Sequence, residues 1–290
     1  MKILGFSYDL PISSISYLKN GKIEFAAAEE RFNRIKNYKG FPEQSLKYIL
    51  KKYNTRVEDF DFFVNSWNPS FYFRKFNPLI SSQKRHFSEQ LISFPDNILN
   101  KQIKKHFGNT NLNFNFNDKK INFEFITHHE SHAALSYYLS GFKDALAFII
   151  DQQGEFMSSS VWVIRNNKFK KVFSTDFPNS IGKLYASITE YLGFKPLSDE
   201  WKVMALGAYS KNFNETYKNF SNLINLKKDG AFDLDTNFFN LINEKEGLLS
   251  EKFYSVFGPP RKNKEKLNNN YYRIAASVQQ VVESTVVTHI

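Results

Sequence analysis

Apolar positions along this chain fall into two stretches that share one grammar. In the first, residues 3–7 are mostly apolar, residues 13–18 alternate, Asn20-Gly21 marks a turn and residues 23–28 resume the apolar run. Alternation with a period of two belongs to half-buried strands, and Asn-Gly suits a two-residue hairpin turn. Spaced apolar positions after Pro42 predict an amphipathic helix over 43–52, since proline is well tolerated in a first helical turn. Residues 59–64 predict a further strand. Residues 68–115, rich in Phe, Ser, Asn and Lys, carry weak periodicity and are expected to be helical with loops.

The second stretch repeats the order. Strands are predicted over 145–150 and 157–164, a turn at Arg165-Asn166-Asn167, a strand over 169–174, and a helix over 181–192 that Gly193 ends. Gly258-Pro259-Pro260-Arg261 is expected as a loop. A closing helix is predicted over 272–288, with Ala275, Ala276, Val278, Val281, Val282, Val286 and Val287 available for packing.

A strand-hairpin-strand unit followed by a helix, occurring twice, points to an α/β chain. It is how the duplicated ribonuclease-H-like fold of actin, Hsp70 chaperones and sugar kinases begins each half. The expected division is 1–142, a first subdomain with a helical insertion, and 143–290, the start of a second. Only three strands are predicted in the second half, so that half is expected to be incomplete at its C-terminus.

Composition narrows the chemistry. With 42% hydrophobic and 17% aromatic residues, the 290-residue chain has enough apolar material for cores. Cysteine is absent, which excludes disulfides, thiolate metal sites and a cysteine nucleophile, and fits a reducing, cytoplasmic setting. No basic segment followed by an apolar one opens the chain, and no apolar run is long enough to span a bilayer. The formal net charge of +10 is spread along the sequence without the glycine and aromatic pattern of an RNA-recognition module. A phosphorylated small molecule is a better use of that charge than nucleic acid.

The densest candidate chemistry is Thr127-His128-His129-Glu130-Ser131-His132, followed by the apolar run 145–150 that ends in Asp151. His128 and His132 are four apart, so a helix points both imidazoles from one face. Two nitrogens and a carboxylate would suit iron(II), zinc or manganese. Spacing alone more often describes a half-buried, hydrogen-bonded surface pair. The zinc-protease pattern fails, because Glu130 follows His129, whose partner His132 is three residues on rather than four. Glu29, Glu30, Arg31, Arg34 and Lys36 on their own read as a solvated charged segment. Gly182, near a helix start, fits either a phosphate site or a tight turn. Tyr185 and Tyr191 read as core.

Five blocks taken together resemble a known family. They are Ala26-Ala27-Ala28-Glu29-Glu30-Arg31-Phe32 with Arg34, Lys36 and Gly40-Phe41-Pro42; His128-His129 with His132-Ala133-Ala134; Asp151 with Gly154-Glu155; Phe177-Pro178, Ser180, Gly182 and Leu184-Tyr185 running on to Tyr191-Leu192-Gly193-Phe194-Lys195; and Glu200-Trp201-Lys202-Val203-Met204 with the later Gly258-Pro259-Pro260-Arg261. In this order they resemble the NodU-type O-carbamoyltransferases of nodulation-factor and antibiotic biosynthesis. The resemblance implies the actin-like, metal-binding part of such an enzyme. A separate C-terminal domain, in the same or a second chain, would make carbamoyl adenylate from carbamoyl phosphate and ATP. The actin-like part would then pass the carbamoyl group to a hydroxyl of a sugar or secondary metabolite beside a bound iron, with zinc or manganese as substitutes. The ligands it implies are His128, His132 and Asp151, with a further aspartate expected after residue 290. Arg31, Arg34, Lys36 and Lys39 become candidates for phosphate or nucleotide contacts, alongside Gly182, and Lys202 for the wall of the site. A homodimer stays open.

The sequence departs from the family at Pro11-Ile12, where members usually place His-Asp, and at Gln152, where they prefer glycine. Tyr8 and Asp9 are weak candidates for the vacant acid-base role. Two other readings stand beside the first. One is a tRNA threonylcarbamoyladenosine transferase, whose helix pattern His128, Glu130 and His132 satisfy. The other is a degenerate subunit that binds metal or nucleotide without catalysis.

Overall fold

The computed structural model describes residues 1–8, 12–67, 110–116, 119–210, 212–227, 230–240, 247–262 and 265–289. They form two compact units of mixed α/β structure, Met1–His132 and Ala133–Ile290.

In the first unit, β1 (Lys2–Ser7), β2 (Ser14–Lys19) and β3 (Lys22–Ala28) make an antiparallel meander. Asn20 and Gly21 turn it with φ of 52° and 81°. Positive φ at both positions is what such a turn demands, and these two residue types tolerate it. The single turn α1 (Glu30–Asn33) and the helix α2 (Glu43–Lys52) lead to β4 (Phe62–Asn65), which lies parallel to β1. β5 (Thr110–Phe116) and β6 (Lys119–Phe125) complete a six-stranded sheet of order β3-β2-β1-β4-β6-β5. Leu4, Ile15 and Tyr17 from the meander pack with Ile49 of α2 and with Phe60, so one sheet face is closed by the amphipathic helix.

Residues 110–115 correct the sequence-based expectation: they are a strand, not helix and loop. Leu112, Phe114 and Phe116 alternate with Asn111, Asn113 and Asn115, a period-two signal masked by the polar bulk of asparagine. The remainder of that predicted stretch, 68–109, lies outside the described residues.

Helix α3 (His128–Ser140) begins in the first unit and continues into the second. In the second unit, β7 (Asp144–Ile150), β8 (Met157–Arg165) and β9 (Lys168–Asp176) form another antiparallel meander, turned at Asn166 and Asn167 with φ of 50° and 59°. Ala133 and Tyr137 of α3 pack against Ala147, Ile149, Trp162 and Ile164 of this sheet. α4 (Ile181–Tyr191), α5 (Glu200–Gly207) and α6 (Asn214–Ser221) follow, then the short pair β10 (Ile224–Leu226) and β11 (Phe232–Leu234), α7 (Glu251–Phe257) and α8 (Asn269–His289). Leu184, Ile188, Val203, Phe220, Phe253, Ile274 and Val278 form the helical core. The closing helix buries Ala275, Ala276, Val278 and Val281, but Val287 is 74% exposed and takes no part in the packing expected of it. No helix among the described residues is long and apolar enough to cross a membrane.

Two buried tyrosines give this unit a spectroscopic signature. Burial, with Glu200 and Glu283 adding to it, pushes the Tyr185 hydroxyl up to about 12. Burial, reinforced by Tyr271, Tyr254 and Glu265, does the same to Tyr191. An absorbance titration is expected to show a late phenolate phase near pH 12, above the ordinary tyrosine value of about 10. The unfolded chain gives up these protons near the ordinary tyrosine value, so the associated stability is whole below about pH 10 and vanishes as pH climbs through about 12. A single step near pH 10 for every tyrosine would contradict this packing.

Candidate metal centre

The histidine block opens α3. His128 and His132 are one helical turn apart, and their Nε2 atoms lie 3.1 Å from each other. Two nitrogens on one metal, each about 2.0–2.1 Å from it and separated by roughly 90–110°, are about 2.9–3.4 Å apart. The pair therefore sits at chelating separation.

A second contact fixes the chemistry of His128. Its Nδ1 is 3.3 Å from the carbonyl oxygen of Ser66. A carbonyl can only accept, so this contact calls for a proton on Nδ1 and turns Nε2 toward His132. Metal-binding imidazoles are typically held this way, by a carbonyl or carboxylate on the far nitrogen. Trp67, 2% exposed, packs with its ring centroid 5.2 Å from that of His128 and restrains the imidazole. His129, between the two, is fully buried.

Asp151 follows directly on β7, in the second unit. Its N–H donates to the Ser158 carbonyl at 2.8 Å, and its Oδ1 accepts the N–H of Gln152 at 2.6 Å. The carboxylate is thus oriented by its own backbone at the carboxyl end of a strand, where open α/β sheets place ligands.

The segment after β3 contains one correction. Glu29 is 2% exposed, not solvated. Its carboxylate accepts the N–H groups of Gln44 and Ser45 at 2.8 and 2.9 Å, and the Ser45 hydroxyl through a short contact. Pro42 supplies α2 with no side-chain cap, so Glu29 caps the helix from a distance in sequence. Arg31 on α1, and Arg34, Lys36 and Lys39 on the loop that follows it, are exposed, with Arg34 left-handed at φ 62°. Arg31 also lies 3.5 Å from Glu30, but it is 74% exposed, so that pair contributes little. Four cations thus share one short exposed stretch.

The remaining candidates have clear surroundings. Lys202 pairs with Asp199 at 3.0 Å and lies 5.6 and 5.5 Å from the Phe194 and Trp201 rings. Gly182 is the second residue of α4, and a Cβ there would fall 2.6 Å from the Cα of Gln152. Close backbone approach by itself accounts for a glycine at this position. Tyr8 packs tilted against Phe6 and edge-to-face against Phe41, with ring centroids 5.9 and 5.7 Å away. Asp9 and Pro11 lie outside the described residues, and Ile12 is 48% exposed. The Ser66 carbonyl had no sequence signal, because a main-chain acceptor leaves no residue preference. Ser180 had one: it stands immediately before a predicted helix, in the N-cap position serine favours.

Residues 2–290 match the family described as carbamoyltransferase N-terminus. The chain is 31% identical over 303 residues to an uncharacterized protein of Synechocystis sp., covering 98% of this chain and 47% of that protein. It is 30% identical over 192 residues to nodulation protein NolNO of Sinorhizobium fredii, covering 66% of this chain and 27% of NolNO. It therefore spans about half the length, or less, of these relatives. Among solved structures, the Aquifex aeolicus member of the Ppx/GppA family is 10% identical with a TM-score of 0.33, over 100% of this chain and 90% of that one, too faint a likeness to bear on the fold. With the family match running from the first strand to the last helix, this chain belongs to the carbamoyltransferase N-terminal family.

Proposed function

We propose that this chain is the transfer part of a carbamoyltransferase, in which His128, His132 and Asp151 hold one divalent metal and a carbamoyl group passes to a hydroxyl of a small-molecule acceptor. The observation that carries this reading is the imidazole pair: two Nε2 atoms 3.1 Å apart, with the Ser66 carbonyl 3.3 Å from the opposite nitrogen of His128. Two neutral nitrogens and one carboxylate suit iron(II) first, with zinc and manganese as substitutes. When bound, the metal would supply Lewis acidity to the carbamoyl carbonyl.

The protein's own residues then have definite tasks. The acceptor oxygen forms a bond to the carbamoyl carbon while the carbon–oxygen bond to the phosphate of carbamoyl adenylate breaks, and AMP leaves with the electron pair. Arg31, Arg34, Lys36 and Lys39 would neutralise that departing phosphate, for which guanidinium forks are well shaped. Lys202 lines the acceptor side. Tyr8 or Asp9 would take the proton of the acceptor hydroxyl, in place of the pair lost at Pro11-Ile12. The carbamoyl adenylate itself, formed from carbamoyl phosphate and ATP, is work for the part of the longer relatives that this chain does not span. The tRNA-modifying alternative is not favoured by the family match.

The test gives the purified chain iron(II) under argon, carbamoyl adenylate and a set of sugars. Metal-dependent consumption of the adenylate, with the carbamoyl group recovered on a sugar oxygen, is expected. Equal consumption with and without a chelator would refute the reading. Given carbamoyl phosphate and ATP instead, the chain alone is expected to form no adenylate.

A further inference from the structure

The start of α4 is built around the backbone that presents Asp151. Ser180 occupies the N-cap, and its hydroxyl accepts the Lys183 N–H at 3.0 Å. The same hydroxyl has one proton to give, and the carbonyl oxygens of Gln152 and Asp151 lie 2.6 and 3.3 Å away. Ser180 is wholly buried, so this bond is shielded from competing water. Two residues on, Gly182 leaves no room for a side chain. A Cβ would stand 2.6 Å from the Gln152 Cα, 2.7 Å from the Gln152 nitrogen and 2.9 Å from the Asp151 carbonyl carbon, all backbone atoms that no rotamer change can move aside. That Gln152 nitrogen carries the proton donated to the Asp151 carboxylate.

We infer that Ser180 and Gly182 are positioning residues for the Asp151 carboxylate, one tying the following peptide to the helix cap and the other letting the helix press directly against it. The inference rests on the proposed metal reading and extends it to residues that touch neither ion nor substrate. A methyl group at position 182 pushes on the amide that holds Oδ1, and so turns the carboxylate. Removing the hydroxyl at 180 releases the Gln152 carbonyl and loosens the same peptide. Ordinary helix capping would predict a loss of stability alone, whereas positioning predicts a loss of metal affinity beyond it.

The experiment measures the dissociation constant for Mn(II) and the thermal midpoint of the metal-free chain for wild type, Gly182→Ala, Ser180→Ala and Ser250→Ala. Ser250 is a control, because it caps α7 through the Phe253 N–H and its hydroxyl donates to the Asn237 carbonyl, not to the peptide after Asp151. Gly182→Ala and Ser180→Ala are expected to weaken Mn(II) binding by about tenfold to a hundredfold, the usual range for residues that orient a metal ligand. Ser250→Ala should lower the midpoint, by less than the change at wholly buried Ser180, and leave the dissociation constant unchanged. If Gly182→Ala does not fold, the two serine variants carry the comparison. Wild type that takes up no Mn(II) would overturn the metal reading together with this extension of it. Wild type that binds, with Gly182→Ala and Ser180→Ala equal to it or Ser250→Ala equally impaired, would overturn the positioning role alone.

Discussion

Replacing His132 with alanine is expected to strip the protein of divalent metal. Purified wild-type chain reconstituted with iron(II) or zinc should carry close to one ion per chain by elemental analysis, and the variant should carry close to none. The physical basis is the 3.1 Å separation of the two Nε2 atoms, a chelating pair that one imidazole cannot reproduce. An imidazole that contributes directly to the metal should cost more than the tenfold to hundredfold of an outer residue. The competing account is a bare imidazole–imidazole hydrogen bond at the surface, since His132 is exposed. Under that account the variant would lose only a weak solvent-screened contact, and metal content would not change between the two proteins. Unchanged stoichiometry would thus remove the chemistry of the proposed transferase and leave family membership standing.

Glu29→Ala is expected to destabilise the first unit by about 3 kcal/mol, read as a shift in the denaturant midpoint at constant slope. The carboxylate accepts from two backbone N–H groups and a hydroxyl in a site only 2% exposed. Truncation leaves the two N–H groups without that acceptor, while the Ser45 hydroxyl keeps the Pro42 carbonyl at 3.2 Å, and desolvated donors cost about 1–3 kcal/mol each before relaxation. It also removes negative charge from the N-terminal end of α2, where the helix dipole favours it. Glu29→Gln should be milder, since one oxygen remains to accept while the new amide faces N–H groups. The segment bearing Arg31, Arg34, Lys36 and Lys39 hangs from the same anchor, so proteolysis between residues 31 and 40 should accelerate in the alanine variant. A loss below about 1 kcal/mol would mean that the cap is replaced by solvent and that the burial is less complete than the contacts indicate.

The contrast between Glu29 and its neighbours shows where sequence reasoning runs out. Glu29, Glu30 and Arg31 look alike in one dimension: consecutive charges after a strand. Only Glu29 has its carboxylate carried into the start of a helix that begins at Glu43, and nothing local to position 29 announces that partner. The same holds for Gly182, which is explained by Gln152 thirty residues earlier. It also holds for His128, whose Nδ1 meets the carbonyl of Ser66.

Local order was available from the amino acids alone. Period-two alternation and asparagine turns identified both meanders, because a strand's side chains must alternate between its faces and positive φ selects few residue types. The helix over 181–192 was equally plain, from its apolar spacing and the glycine at its end. So was the pairing of His128 with His132, which follows from the pitch of a helix. What the chain's linear pattern could not supply was partnership across long separations: β6 beside β4, a glutamate on a distant helix cap, a serine hydroxyl on the peptide after a candidate ligand. Those contacts are selected by the packing of whole elements, whose favourable burial acts on surfaces and not on neighbouring residues. The identity of the candidate ligands was therefore written in the sequence, and their orientation was set by the fold.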